Sequence, residues 1–130
     1  MCIRDRYLKA YCSFWVIGLA RRAGLPPDAL ALSYLRQLRG QEWYNRLAQL
    51  VLGNTTFAAL RREADTRGRL AELSFYEADR LLALGQLEQA RALWQQVTGS
   101  RMMAFFEYDM ASFNLRYGPA TVTTRPLERD

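Results

Sequence analysis

The sequence predicts an all-α fold of about seven helices, paired as antiparallel hairpins and stacked side by side into an α-solenoid. Three observations lead there. Half of the 130 residues are hydrophobic, yet Ala, Leu, Arg, Glu and Gln dominate while β-branched residues are scarce, which favours helix over sheet. Apolar residues recur at three- and four-residue spacing along most of the chain. Glycines at 24, 40, 53, 68, 85, 99 and 118 punctuate that pattern at intervals of 16, 13, 15, 17, 14 and 19. The length suits one domain, and no apolar run approaches the ~20 residues of a membrane span.

The first six residues, MCIRDR, match the translated end of a common transposase sequencing adapter. Residues 1–6 are therefore read as a library artefact and set aside. The chain is then expected to be the C-terminal fragment of a longer protein, its helical domain covering 7–118 and an irregular tail covering 119–130. Without Arg4, Asp5 and Arg6 the balance is 16 basic to 12 acidic residues, a net +4.

Helix one is expected from about Tyr7 to Ala23, with Tyr11, Phe14, Trp15, Gly18 and Leu19 on a broad apolar face. Gly18 within it would admit a close neighbour. Cys12, the one cysteine outside residues 1–6, reads as a small buried hydrophobe. Pro26 and Pro27 open helix two, Asp28 puts negative charge in its first turn, Ala31, Tyr34, Leu35 and Leu38 form its stripe, and Gly40 closes it. Helix three runs from near Gln41 to Gly53, with Trp43, Leu47, Leu50 and Val51 on one face. Asn54, Thr55 or Thr56 caps helix four, whose stripe is Phe57, Leu60 and Ala64. Asp65–Gly68 is read as the next break. Helix seven is expected from a Ser100 cap through Met102, Phe105, Phe106, Ala111, Phe113 and Leu115, ending at Gly118-Pro119.

Between these lies the hairpin around which the rest is organised. Leu70, Leu73, Ala78, Leu81 and Leu82 mark its first helix, Gly85 its left-handed stop, and Leu87, Ala90, Trp94 and Val97 its second helix. The order Ala78, Leu81, Gly85, Ala90, Trp94 resembles the tetratricopeptide repeat. Taken two helices at a time, the glycines at 24, 53, 85 and 118 lie 29, 32 and 33 apart, near that family's ~34-residue unit. One such hairpin cannot bury its own apolar face, so neighbours of the same kind are required.

A longer run resembles the C-terminal half of the NlpI-type outer-membrane lipoproteins, which are tetratricopeptide proteins. It comprises Trp43, Leu52-Gly53-Asn54, Phe75-Tyr76, Leu84-Gly85, Ala90, Glu107-Tyr108, Ala111 and Leu115. The chain departs from the repeat pattern at Glu77, where leucine is usual, at Ala78, where glycine is usual, and in lacking a proline at the customary distance after Trp94. The resemblance implies an adaptor on the periplasmic face of the outer membrane that recruits peptidoglycan hydrolases or a periplasmic protease. It leaves room for a homodimer. Without it, the cytoplasm is the default.

Little in the sequence speaks for catalysis. There is no histidine, which removes the commonest general base and metal ligand. One usable cysteine and no carboxylate cluster at ligand spacing leave no metal site and no cofactor expected, and no glycine-rich loop follows a strand. Glu72 and Asp79 share a helix face, and Ser13, Ser33, Ser74, Ser100 and Ser112 have no base in pattern. Acidic and basic residues, among them Arg61, Arg62, Glu63, Glu72, Glu77, Asp79 and Arg80, are interspersed as on solvated helix faces. That mixture argues against a nucleic-acid stripe.

Function should then lie in a protein-binding surface. In tetratricopeptide repeats the first helix of each pair lines a concave groove. The face away from Ala78 and Leu81 carries Glu72, Phe75, Asp79 and Leu82, and the corresponding face of the last helix carries Phe106, Asp109, Phe113 and Arg116. The competing reading packs Phe75, Phe106 and Phe113 on adjacent helices, and Trp15, Trp43 and Trp94 read as core anchors. The alternative function is a regulatory helical module attached to an enzyme or transcription factor encoded upstream.

Overall fold

In this computed structural model, residues 3–118 are described; the expected irregular tail at 119–130 lies outside them. Among the described residues there are seven α-helices and no strand, in agreement with the all-α expectation. They are α1 (Ile3–Arg22), α2 (Ala29–Gln37), α3 (Trp43–Val51), α4 (Phe57–Arg61), α5 (Arg67–Ala83), α6 (Leu87–Gly99) and α7 (Phe106–Tyr117).

Local chemistry accounts for most boundaries. Asp28 caps α2 by accepting a hydrogen bond from the Ala31 N–H at 2.8 Å, and Thr56 caps α4 through the Ala59 N–H at 3.2 Å. Each satisfies one of the donors that a helix start leaves unpaired. At the centre of the hairpin Gly85 has φ +77°. Its N–H reaches the Leu82 carbonyl at 3.0 Å and the Gln86 N–H reaches Leu81 at 2.9 Å. That pair of bonds is the Schellman stop that turns α5 into α6, and a side chain at position 85 would strain it.

Four expectations need correcting. α1 begins at Ile3 instead of Tyr7. The break before α5 ends at Thr66, which caps the helix through the Arg69 N–H at 3.1 Å; Gly68 sits inside the first turn. A Cβ there would lie 3.0 Å from the Phe105 ring, so Gly68 serves packing and not chain reversal. α7 begins at Phe106, not after Ser100, because Arg101 takes a left-handed φ of +59° and no helix can run through it. Cys12 is exposed. The buried side of α1 is Ala10, Tyr11, Phe14 and Ile17, while Cys12 shares the opposite side with the half-exposed Val16 and Leu19.

The core is centred on α5. Every residue from Ala71 to Ala78 is buried, so this helix is enclosed on all sides and not along one stripe. α6 covers it as the hairpin partner, with Ala90, Leu93, Trp94 and Val97 inward. α3, α4 and α7 close other sides. The remaining side is taken by α1, four elements away in sequence. Phe14 and Tyr11 meet Tyr76 with ring centroids 5.2 and 6.1 Å apart. Gly18 permits the approach: a Cβ at that position would fall 2.9 Å from an Asp79 carboxylate oxygen. The hairpins therefore do not touch sequence neighbours alone, since α1 reaches across to α5. Each large apolar side chain so enclosed contributes about 1.5–3 kcal/mol of transfer free energy.

Candidate functional site

Enclosing α5 carries charged residues into the core, and their partners come from other helices. Glu72, read from sequence as part of a solvated face, is 8% exposed. It accepts a hydrogen bond from the Tyr11 hydroxyl at 2.5 Å and from the Trp43 indole N–H at 2.8 Å. Burial raises its carboxyl to a pKa of about 7, the nearby Glu107 charge adding to the rise and the two hydrogen bonds opposing it. Glu107, on α7 and also buried, accepts from the Tyr76 hydroxyl at 2.8 Å. Tyr76 in turn accepts from the Trp15 indole N–H at 3.0 Å. Burial first, then the adjacent carboxylates, push both tyrosine hydroxyls far above their ordinary pKa. Glu77, also expected on a solvated face, is buried and binds Arg80 at 2.6 and 2.9 Å. These groups tie α1, α3, α5 and α7 together, and of them Trp15 alone also lines a cavity, the cup between α1, α5 and α7.

The opening lies one turn further along α5. Trp15, Leu19 and Arg22 of α1, Phe75 and Asp79 of α5, and Phe106 and Met110 of α7 line a cup of about 210 Å³. The Trp15 and Phe106 rings lie 4.2 Å apart at 41° and form one wall. Phe75 is 2% exposed and forms the floor, while Leu19 and Phe106, at 52% and 44%, stand at the rim. Beside the floor Arg22 and Asp79 form an ion pair whose side chains are 6% and 12% exposed. Burial lifts the Asp79 carboxyl above its ordinary value, against the pull of Arg22 and Arg21.

The eight residues proposed from sequence thus fall in separate places. Phe75, Asp79 and Phe106 meet at the cup. Glu72 is sealed in the polar network, which corrects its placement on an open groove, and Leu82 is half-buried against the core. Phe113 and Arg116 line a different depression with Tyr117 on the outer side of α7, where the Phe113 and Tyr117 rings stand 5.0 Å apart. Asp109 is exposed on α7 and outside both linings. Sequence reading missed Leu19, Arg22 and Met110 as site residues and took Trp15 for a core anchor. A signal was present only for Leu19, at the edge of the apolar face of α1; the pairing of Arg22 with Asp79, 57 residues apart, left no local trace.

Other depressions are chemically less distinctive. A polar cleft of about 580 Å³ contains Arg36, Arg39 and Arg46. Arg46 is held by both oxygens of Glu63 at 2.7 and 2.8 Å, and Arg39 bonds the Arg36 and Leu38 carbonyls at 2.6 and 2.9 Å. Among the described residues no group of three or more His, Cys, Asp or Glu side chains is placed to hold a metal ion, and no helix is long and apolar enough to cross a membrane. Comparison with protein-family models, curated proteins and solved structures finds no match.

Proposed function

We propose that this chain is a non-catalytic protein-interaction scaffold, the C-terminal helical part of a tetratricopeptide-type adaptor of the bacterial envelope. The observation that carries the reading is the cup between α1, α5 and α7. It combines an aromatic wall of Trp15 and Phe106, an aromatic floor of Phe75, the half-exposed Leu19 and Phe106 at its rim and charged groups limited to one ion pair. Concave apolar sites with an aromatic anchor and a buried Arg are where partner side chains contribute most binding energy. The ordered run from Trp43 to Leu115 supports the envelope assignment, with peptidoglycan hydrolases and periplasmic proteases as the partner class.

The test is direct binding of the purified chain to a panel of purified envelope hydrolases and proteases, measured by interferometry. The reading expects at least one saturable partner. It expects that affinity to fall about tenfold or more in the double variant Leu19→Arg, Phe106→Ala, with thermal unfolding near that of the parent because both side chains stand at the surface. No partner in the panel would overturn the adaptor reading; a partner indifferent to the double variant would move the binding surface off the cup.

A further inference from the structure

A second apolar surface lies on the outer side of α1 and α2, away from the cup. From Ala10 to Ala20 α1 has no charged residue on any side. A helix apolar all round is one that is covered all round, yet only the side carrying Ala10, Tyr11, Phe14 and Ile17 is buried. On the other side Leu8 and Val16 are 49% and 44% exposed, and Leu30 of α2 is 82% exposed. Between the two helices runs a groove of about 520 Å³, its walls formed by Cys12, Val16 and Leu30 and its floor by the buried Ser13 and Ala31. The Ser13 hydroxyl donates to the Lys9 carbonyl at 2.8 Å, so the floor is closed to polar partners. A stripe of this kind, continuous over two helices, marks an interface where a single exposed leucine would not.

We propose that the groove docks a second copy of this chain, the two α1 helices lying antiparallel about a two-fold axis at Cys12. Two observations select the copy as occupant. The first is spacing. Leu8 and Val16 lie four residues to either side of Cys12, about 6 Å along the helix in each direction. Turning α1 end for end therefore sets Leu8 of each copy opposite Val16 of the other. The small Cys12 side chain at the axis lets the helices approach to an ordinary packing distance.

The second is charge. Lys9 and Asp28 are the charged residues of the lining, and they stand at opposite ends of it. Lys9 sits over the Tyr34 ring at 4.5 Å, where the second half of α2 lies beside the start of α1. Asp28 caps the start of α2 at the other end. Among the described residues neither takes part in an ion pair. The two-fold turn that matches the apolar stripe also brings Lys9 of each copy to Asp28 of the other. An isologous interface must be self-complementary in this sense, and opposite charges at its rim fix the orientation.

Sedimentation equilibrium of the full chain, from about 5 µM to about 1 mM, tests this. The expected result is a reversible monomer–dimer equilibrium with a Kd of about 100 µM or below. Val16→Glu and Leu30→Glu should each weaken it about tenfold or more without lowering the thermal midpoint, since both side chains are exposed. Lys9→Glu should weaken it by facing two carboxylates across the interface. Adding Asp28→Asn to that variant, which keeps the α2 cap, should restore part of the loss. With Cys2→Ser removing the other thiol, diamide should join Cys12 of two copies. Two thiols then give one disulfide, and the diamide takes up their two protons and two electrons.

A monomer throughout that range overturns the proposal. So does a dimer as tight in Val16→Glu and Lys9→Glu as in the parent, or a Cys12 disulfide that forms as fast in Val16→Glu. A monomer that binds phosphatidylcholine vesicles, and loses them on Leu30→Glu, would give this face to a lipid surface and overturn it too. None of Lys9, Val16 and Leu30 lines the cup, so self-association and binding of an envelope partner are read separately.

Discussion

Two buried regions of this molecule treat polar groups in opposite ways. On the side of α5 that faces α1 and α3, Glu72 with Tyr11 and Trp43, and Tyr76 with Trp15 and Glu107, form two triads held by hydrogen bonds of 2.5–3.0 Å. Between α6 and α7 the Trp94 indole N–H and both ends of the Asn114 amide are buried with no protein partner, although these side chains are 1% exposed. The first region specifies geometry: the Tyr11 hydroxyl and the Trp43 indole fit only one register against the Glu72 carboxylate, and the Trp15 indole only one against the Tyr76 hydroxyl, which itself donates to Glu107. The second is held by apolar area and shape, and its unpartnered amide is a burden on stability. Directional bonds thus fix the helix brought from far away in sequence, while apolar packing suffices for the hairpin neighbour.

The largest expected consequence is a pH dependence that belongs to the first region alone. Folding raises the Glu72 carboxyl from an ordinary value of 4.5 to about 7. The folded chain therefore holds a proton there that the unfolded chain has released. Stability from this group is fully present below about pH 4.5, declines as pH rises to about 7, and is flat above, a loss of at most about 3 kcal/mol. Asp79, also raised, acts with the same sign. Glu72→Gln should therefore be more stable than the parent in urea unfolding at pH 8 and about equal to it at pH 4.5. An equal difference at both pH values would remove Glu72 as the source.

Tyr76→Phe deletes the hydroxyl between Trp15 and Glu107 and leaves a buried carboxylate short of a donor. The expected loss is about 2 kcal/mol at neutral pH, read from the shift of the urea midpoint at constant slope. In the second region the sign should reverse. Asn114→Leu replaces an unpartnered buried amide with an isosteric apolar side chain and should raise stability by about 1 kcal/mol. A destabilisation there would mean that the amide is bonded after all, through ordered water, and the contrast between the regions would weaken. The smallest effect belongs to the surface: Phe106→Ala should change stability by less than about 1 kcal/mol, a value that calorimetry resolves.

The contrast also explains what the sequence made legible. Apolar periodicity marked the inward faces of α3, α5 and α6, since Leu47, Leu50, Leu73, Ala78, Ala90, Trp94 and Val97 are all buried. Short-range chemistry marked the Asp28 and Thr56 caps and the Gly85 stop, because each needs only residues within one turn. Periodicity says which face is apolar but not which helix will cover it, so the packing of α1 onto α5 had no sequence signature beyond Gly18. For the same reason Glu72 and Glu77 looked like members of a solvated face. An acid on a helix reads as exposed until the tyrosine or arginine that satisfies it is placed beside it. Of the candidate site, Phe75, Asp79 and Phe106 were legible as aromatic and charged residues at helical spacing. Arg22 was not, since its meaning depends on a neighbour 57 positions away.

The account rests on α1 being locked to α5 through Tyr11 and Glu72, and a double-mutant cycle between Tyr11→Phe and Glu72→Leu measures that lock. A buried charge-assisted bond predicts a coupling of more than about 1 kcal/mol at pH 8, with the double variant losing less than the sum of the single losses. Strict additivity, a coupling within about 0.3 kcal/mol of zero, would contradict it, and with it the enclosure of α5 that shapes the cup.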